Sequence, residues 1–240
     1  KFIDLSVSIE NNIPSDPEEM IPEITYIDHK KSVPDMLSFF GKAQEKDLPK
    51  GLAWAIEQVK LTTHTGTHLD APYHYHPTMD KGKASITIDE IPLDWCYSDG
   101  VLLNFSNKPN GYKLQIKDFK KELARINYNL KEKDIVLINT GASKHWGTPN
   151  YLFSGCGVGR EATLWLLSHG IKVVGTDAWS WDRPLSYIAK EFDVTGDPSI
   201  IWEGHYAGIE KSYCHIEKLT NLDKLPPVGF KISCYPIKIK

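Results

Sequence analysis

The spacing of apolar residues in the middle of the chain predicts alternating strands and helices. Segments 100–105 and 134–139 are short apolar runs of the kind that form buried strands. Segment 116–126 between them carries apolar residues three or four positions apart, which predicts an amphipathic helix. A second helix is predicted over 159–169, and a strand follows it at 171–175. This order of elements is typical of an α/β fold.

The remaining patterned segments lie nearer the two ends of the chain. Segment 55–63 alternates like a strand, and segments 229–235 and 237–240 do the same at the end of the sequence. Segments 10–22 and 41–52 are rich in Pro, Gly and charged residues, so we expect loops there. The whole pattern predicts one mixed α/β domain.

Composition narrows the function classes. The chain has 240 residues, 41% of them hydrophobic and 25% charged, which is ordinary for a soluble globular protein. Its net charge of -3 does not favour binding to nucleic acid or to an anionic membrane. No apolar run approaches the roughly 20 residues that cross a bilayer. We therefore expect a small molecule as its partner, with no nucleic acid and no membrane.

The four cysteines and the first residues suggest where the protein is found. The cysteines are far apart in sequence and form no CxxC pair, so we expect reduced thiols, no structural zinc site built on cysteine, and a cytoplasmic location. The start alternates like a strand and lacks the layout of a signal peptide. The sequence does not begin with Met, so we expect that a segment upstream of residue 1 has been removed.

The strongest chemical signal is a histidine cluster. Four of the nine histidines fall within residues 64–76, with Asp70 among them. Imidazole nitrogens and carboxylate oxygens are ligands that zinc and manganese accept. Thr65 stands where a helical zincin motif would need Glu, and Pro72 follows, so we expect a strand end that runs into a tight loop at Gly66.

Three side chains of this cluster could converge on one ion, namely His64, His68 and Asp70. Three protein ligands leave positions open for water and substrate, as in catalytic zinc sites. Alternatively, single histidines of the cluster cap loops or pack against aromatic rings. His205 and Glu217 are the best distant candidates for further ligands, but spacing alone does not tie them to the cluster.

Residues 64–74, HTGTHLDAPYH, resemble the HxGTHxDAPxH signature of the cyclase-like metal-dependent hydrolases, a family that includes bacterial kynurenine formamidase and isatin hydrolase. The resemblance extends to 175–182 and to His205 and Glu217 with the following segment 219–226. It implies a swivelling β/β/α fold with a mixed sheet, formed as a single domain over residues 1–240. It also implies a homodimer or a homotetramer.

The same resemblance implies a cofactor of one or two ions, Zn²⁺ or Mn²⁺. His64, His68 and Asp70 would hold the first ion. In two-metal members of the family, Asp70 would bridge to a second ion held by His205 and Glu217. A bound ion lowers the pKa of its water from about 15.7 towards about 7, which makes hydroxide available for attack on a carbonyl group.

His74 matches the position of the family's catalytic histidine. We expect it to act as general acid or base and to protonate the leaving nitrogen or oxygen. It lies four residues after Asp70, beyond Pro72, so it could face the metal without binding it. No GxSxG motif is present, so a serine nucleophile is not expected.

Other residues have weaker claims to the site. His76 contacts substrate or faces solvent, while Asp177 and Ser180 orient ligands or cap a loop. Trp181, with Trp179, forms a flat wall for a planar substrate or packs in the core. The remaining histidines receive no functional role: His29, His145, His169 and His215.

The sequence thus predicts a metal-dependent hydrolase that opens a small amide, formamide, lactam or lactone. Tyr75, His76 and Pro77 follow His74 where formamidases commonly have Phe-Phe, so N-formylkynurenine itself is not favoured over a lactone. A non-catalytic metal- or ligand-binding protein on the same scaffold is the main alternative. A structural zinc that only holds the loop would instead show closed four-coordinate geometry.

Overall fold

A mixed six-stranded sheet forms the centre of the computed structural model, which describes residues 1–240. The strands are β1 (Glu23–Ile27), β2 (Ile56–Lys60), β3 (His68–Asp70), β4 (Thr78–Met79), β5 (Lys83–Ala84), β6 (Tyr97–Asn104), β7 (Lys113–Leu114), β8 (Ile135–Asn139), β9 (Gly157–Val158), β10 (Val173–Thr176), β11 (Cys214–Glu217) and β12 (Phe230–Ser233). The α-helices are α1 (Val33–Ser38), α2 (Pro72–Tyr75), α3 (Ile116–Arg125), α4 (Arg160–Ser168), α5 (Leu185–Thr195) and α6 (Glu203–Glu210).

The central sheet has the strand order β12-β6-β8-β10-β11-β3. Its four inner strands run parallel to one another, whereas the two edge strands β12 and β3 are antiparallel to their neighbours. Parallel strands are covered on both faces, which explains why β8, and the part of β6 that pairs with it, are almost continuously apolar up to their terminal Asn. Alternate residues of β8 enter different clusters, with Val136 and Ile138 on one face and Ile135 and Leu137 on the other.

Helices α3 and α4 cover one face of the sheet. Their apolar side chains, including Phe119, Leu123 and Leu166, join the larger core cluster. The predictions of helices at 116–126 and 159–169 are therefore confirmed to within a residue or two at each end. Gly170 follows α4 with φ +81°, a conformation that suits glycine at the end of a helix.

The structure also confirms the predicted strands at 100–105, 134–139 and 171–175, which correspond to β6, β8 and β10. The strand predicted over 55–63 is shorter, and as β2 it pairs only with β1 in a separate, exposed two-stranded sheet. The strand predicted at 237–240 is wrong. Pairing of β12 with β6 ends at Ser233, and no strand lies beside the residues that follow.

The expectation that the cysteine thiols are reduced stays a prediction. All four are unpaired, and Cys96, Cys156 and Cys214 are buried. None of the helices combines the length and the apolar character that a membrane crossing requires.

Strand β9 is in close contact with the segment that follows β10, and a variant can test this contact. A Cβ atom at Gly157 would overlap the backbone of Asp182 and Arg183, which cannot rotate away. We expect Gly157→Ala to lower the free energy of unfolding by about 1–3 kcal/mol, measured by chemical denaturation. Gly41→Ala is the matched control, because a Cβ there meets no atom within 4 Å. Equal stability of the two variants would contradict the close packing.

Candidate metal centre

The pairing of β3 with β11 brings four polar side chains together. In this antiparallel pair His68 lies opposite Glu217, and Asp70 lies opposite His215. Alternate residues of a strand point to the same face, so His68 and Asp70 share one face with His215 and Glu217. Two strands therefore place two imidazoles and two carboxylates side by side at the edge of the sheet.

The loop before β3 brings His64 to the same place. Gly66 has φ +65°, a left-handed conformation that lets the chain turn between His64 and His68, as the sequence predicts. Thr67 Oγ1 donates a hydrogen bond to the carbonyl of Lys218 at 2.6 Å. The buried Lys218 ammonium donates to the carbonyl of His64 at 2.7 Å and pairs with Asp16. These contacts tie the loop to the end of β11.

We call His64, His68 and Asp70 the outer cluster. His64 Nδ1 lies 3.0 Å from His68 Nε2 and 3.0 Å from Asp70 Oδ1. His68 Nε2 lies 3.5 Å from the same carboxylate oxygen. His68 Nδ1 donates to the carbonyl of Gly66 at 2.9 Å, which leaves the Nε2 lone pair facing the cluster. Two ligands about 2.1 Å from one tetrahedral ion lie about 3.4 Å apart, so these spacings suit a shared ion.

We call Asp70, His205, His215 and Glu217 the inner cluster, whose potential ligand atoms all lie within 4.8 Å of one another. His215 Nε2 lies 2.9 Å from Asp70 Oδ2 and 3.1 Å from Glu217 Oε1. His205 Nε2 lies 3.6 Å from the same glutamate oxygen. The two oxygens of Asp70 thus face different clusters, as a bridging carboxylate would.

Asp182 positions His205. Its carboxylate accepts the backbone N–H groups of Gly204 at 2.7 Å and His205 at 3.0 Å, at the start of α6. The same carboxylate accepts Nδ1–H of the His205 ring at 2.5 Å, which directs Nε2 towards the inner cluster. Burial raises the pKa of Asp182 to about 6, although the two backbone donors act in the opposite direction.

The electrostatics of the inner cluster favour a cation. Burial acts to raise the pKa of Asp70, but hydrogen bonds to His215 and His64 hold that pKa well below its usual value. Burial opposes the same change at Glu217, yet the nearby His215 charge lowers the pKa of Glu217 too. Against burial, Glu217 and Asp70 together raise the pKa of His215 to about 9. Two buried carboxylates thus concentrate negative charge where imidazoles converge.

His74 lies beside the outer cluster on the short helix α2, which begins at Pro72. Its ring centre is 4.1 Å from that of His64, and its Nε2 is 3.9 Å from Asp70 Oδ2, too far for a hydrogen bond. Its side chain is 32% exposed. Burial against the site lowers the pKa of His74 to about 4. His74 is thus placed to face a bound ion and solvent together.

The weaker sequence candidates lie outside the clusters. His76 belongs to neither cluster, and its Nδ1 is engaged by Thr78 in the same turn. The Asp177 carboxylate accepts hydrogen bonds from Thr140 and Ser143 at the ends of neighbouring strands. Ser180, which directly precedes Trp181 in the sequence, is buried.

Trp181 does not form a wall of the site. Its ring is fully buried, and its indole N–H donates to Thr163 at 3.0 Å in the core. Its backbone N–H, however, donates to Glu217 Oε1 at 2.8 Å and so fixes that carboxylate. Trp179 donates its indole N–H to Asp16.

Sequence reasoning missed two residues of the site, His215 and Trp202. The ring of Trp202 stacks on His205 with centres 4.0 Å apart and meets His74 edge-on at 5.2 Å. Its backbone has φ +52°, which is rare for a residue other than glycine. His215 had a readable signal, because His-x-Glu spacing in a strand places it on the same face as Glu217.

Comparison with known proteins identifies the family. Residues 3–183 match the family model Cyclase, described as "Putative cyclase". The kynurenine formamidase of Salinibacter ruber is 24% identical over 184 residues, which make up 77% of this chain and 73% of that protein.

Solved structures share the fold. The crystal structure of an isatin hydrolase bound to the product analogue thioisatinate has a TM-score of 0.75 at 19% identity, covering 99% of this chain and 86% of that one. Isatin hydrolase A from Labrenzia aggregata, bound to benzyl benzoate, has a TM-score of 0.73 at 22% identity, covering 99% and 88%. The α/β fold with a mixed sheet that the sequence predicts is therefore confirmed.

The contact between Asp182 and His205 can be tested through metal affinity. Asp182→Asn removes the charged acceptor that orients His205, so we expect zinc affinity to fall about 10- to 100-fold. Isothermal titration with Zn²⁺ measures the change, and circular dichroism checks that α6 is retained. Asp193→Asn, on the exposed face of α5, is the control. An unchanged affinity in Asp182→Asn would show that His205 takes no part in metal binding.

Proposed function

This chain belongs to the Cyclase family, and on that premise we propose that it is a metal-dependent hydrolase of a small amide, formamide, lactam or lactone. The observation that carries the proposal is the outer cluster, three converging side chains of ligand type with the ring of His74 beside them, 3.9 Å from Asp70. A metal-binding protein without catalysis has no need of a partly exposed imidazole at that position. The donor set of imidazole and carboxylate suits Zn²⁺ or Mn²⁺.

A divalent ion held by the outer cluster would act as a Lewis acid on the substrate carbonyl and lower the pKa of a bound water. The protein's part is to hold and orient the ligands. Asp70 is kept ionised by its imidazole neighbours, and the carbonyl of Gly66 fixes the ring of His68. The loop that carries His64 is held by Lys218.

His74 is the residue we propose for proton transfer. Because no carboxylate binds its ring within hydrogen-bond distance, Nε2 is available to take a proton and to pass it to the leaving nitrogen or oxygen. Trp202 packs edge-on against this ring and limits its orientation. The indole also covers His205, which keeps water from that side of the inner cluster.

The substrate class rests on the relatives. A formamidase and an isatin hydrolase both cleave a bond between a carbonyl carbon and nitrogen, which favours an amide, a formamide or a lactam. A lactone presents the same activated carbonyl. The homodimer or homotetramer expected from the sequence stays a prediction.

The proposed activity is tested with purified protein and a panel of N-formylkynurenine, isatin and simple lactones. We expect hydrolysis of at least one compound class, loss of that activity after dialysis against a chelator, and recovery on adding Zn²⁺ or Mn²⁺. Product release is followed by absorbance and mass spectrometry. Metal binding without turnover of any compound would favour the non-catalytic binder instead.

A variant of His74 separates catalysis from metal binding. His74→Ala removes the proton carrier without removing a ligand, so we expect kcat to fall about 100- to 10,000-fold while the metal content stays unchanged. Metal content is measured by mass spectrometry of the digested protein, and turnover on the best compound of the panel. His145→Ala, at an exposed 3-10 helix, is the control. Near wild-type turnover in His74→Ala would rule out this role.

A further inference from the structure

We propose that Cys96 and Cys234 form a reversible oxidation site, a pair of thiols that a peroxide closes into a disulfide bond and a reducing dithiol opens again. The two residues lie where the edge strand β12 ends beside the beginning of β6. The inference is independent of the proposed hydrolase function, because the metal centre contains no cysteine. It concerns how an edge of the central sheet is fastened.

The first argument is the strand register. Strand β12 pairs with β6 in antiparallel fashion up to Ser233, which lies opposite Tyr97. One position further, the backbone N–H of Cys234 donates to the carbonyl of Cys96 at 2.9 Å, so these two residues oppose each other. Hydrogen-bonded opposed residues have Cα atoms about 5.5 Å apart, within the range of about 4.4–6.8 Å that disulfide bonds span. The backbone therefore already holds the pair at a suitable separation.

The second argument is the direction of the two side chains. The Cys234 sulfur lies 3.5 Å from the carbonyl oxygen of Cys96, so the Cys234 side chain is directed towards the other cysteine. Cys96 belongs to the apolar cluster on one face of the sheet, and Cys234 packs against the same cluster. The thiols also contact each other, since a hydrogen bond with Cys234 lowers the pKa of the Cys96 thiol. Both sulfur atoms thus lie on one face, side by side.

The two thiols differ in a way that suits stepwise oxidation. The hydrogen bond with Cys96, together with burial, raises the pKa of Cys234, so Cys96 is the sulfur that ionises more readily. The Cys96 sulfur attacks hydrogen peroxide and the O–O bond breaks, which gives a sulfenic acid and one water. The Cys234 sulfur then attacks the Cys96 sulfur, the S–O bond breaks, and a second water leaves with the Cys234 proton.

The other two cysteines are not placed to join this pair. Cys156 belongs to the cluster on the opposite face of the sheet. Cys214 lies in β11, which is separated from β6 by β8 and β10. Both are buried, whereas Cys234 is partly exposed, so an oxidant in solution reaches the Cys96–Cys234 pair first. The fold therefore specifies one disulfide bond.

The oxidation site is remote from the metal centre. Strands β6, β8, β10 and β11 run parallel, so their amino ends share one edge of the sheet and their carboxyl ends share the other. Cys96 directly precedes β6, whereas Glu217 is the last residue of β11. The disulfide bond would thus fasten β12 to the sheet without moving a candidate metal ligand, and we expect the zinc content to stay unchanged on oxidation.

The experiment counts free thiols and locates the bond. Wild-type protein is reduced with dithiothreitol, desalted and treated with a small excess of hydrogen peroxide. We expect two of the four thiols to be lost, peptide mapping to join Cys96 to Cys234 within one chain, and dithiothreitol to restore both thiols. Because the bond closes a long loop, we expect the midpoint of thermal unfolding to rise by about 5–15 °C on oxidation.

Two variants separate this pair from the remaining thiols. Cys234→Ser removes one partner, so we expect peroxide to form no disulfide bond within the chain and to leave the unfolding midpoint unchanged. Cys156→Ser, on the opposite face of the sheet, is the matched control and should form the same bond as the wild type. Retention of all four thiols in the wild type, a bond between two chains, or a bond within the chain of Cys234→Ser would overturn the proposal. The wild-type mapping decides the question even where a variant does not fold.

Discussion

The site depends on the register between β3 and β11. His68 opposes Glu217 and Asp70 opposes His215 because these two short strands are antiparallel neighbours. A shift by one residue would turn the side chains of one strand to the opposite face and would replace the ligands by Leu69. The apolar residues between the ligands hold the register, since Leu69 and Ile216 pack in the cluster on the other face of the sheet. The strand register is therefore one constraint that sets both the geometry of the candidate ligands and the packing of the apolar core.

That constraint places charged groups where water is excluded. Isolated buried carboxylates are costly, and the fold compensates by surrounding them with imidazoles and backbone donors. The hydrogen bond from the backbone of Trp181 to Glu217 and the capping of α6 by Asp182 are parts of the same compensation. The helix, the sheet edge and the loop are consequently linked through polar contacts as well as through apolar packing.

The parts of this centre differ in how readily the sequence reveals them. The outer cluster is predictable because its ligands lie within seven residues, so a local motif carries the chemistry. His205 is distant in sequence, and only the resemblance to a known family joined it to the motif. His215 was overlooked because two-residue spacing is informative only once a strand is assigned.

Sequence pattern likewise predicted three of the four inner strands, β6, β8 and β10, and two helices of the fold. It failed where pairing partners decide the outcome. Segment 237–240 alternates like a strand but has no neighbour to pair with, and β2 has a partner outside the main sheet. Alternation records which side chains suit a pleated surface, and a strand forms only where another strand supplies hydrogen bonds.

The left-handed backbone of Trp202 limits how this candidate site could be re-engineered. A residue at φ +52° is strained by roughly 1–3 kcal/mol, and the stacking of its indole on His205 helps to hold it there. Most smaller replacements would keep the strain and lose the stacking. Glycine and asparagine tolerate the conformation but have no aromatic ring to cover His205. Libraries intended to widen the range of accepted molecules should leave position 202 fixed and vary the surrounding surface instead.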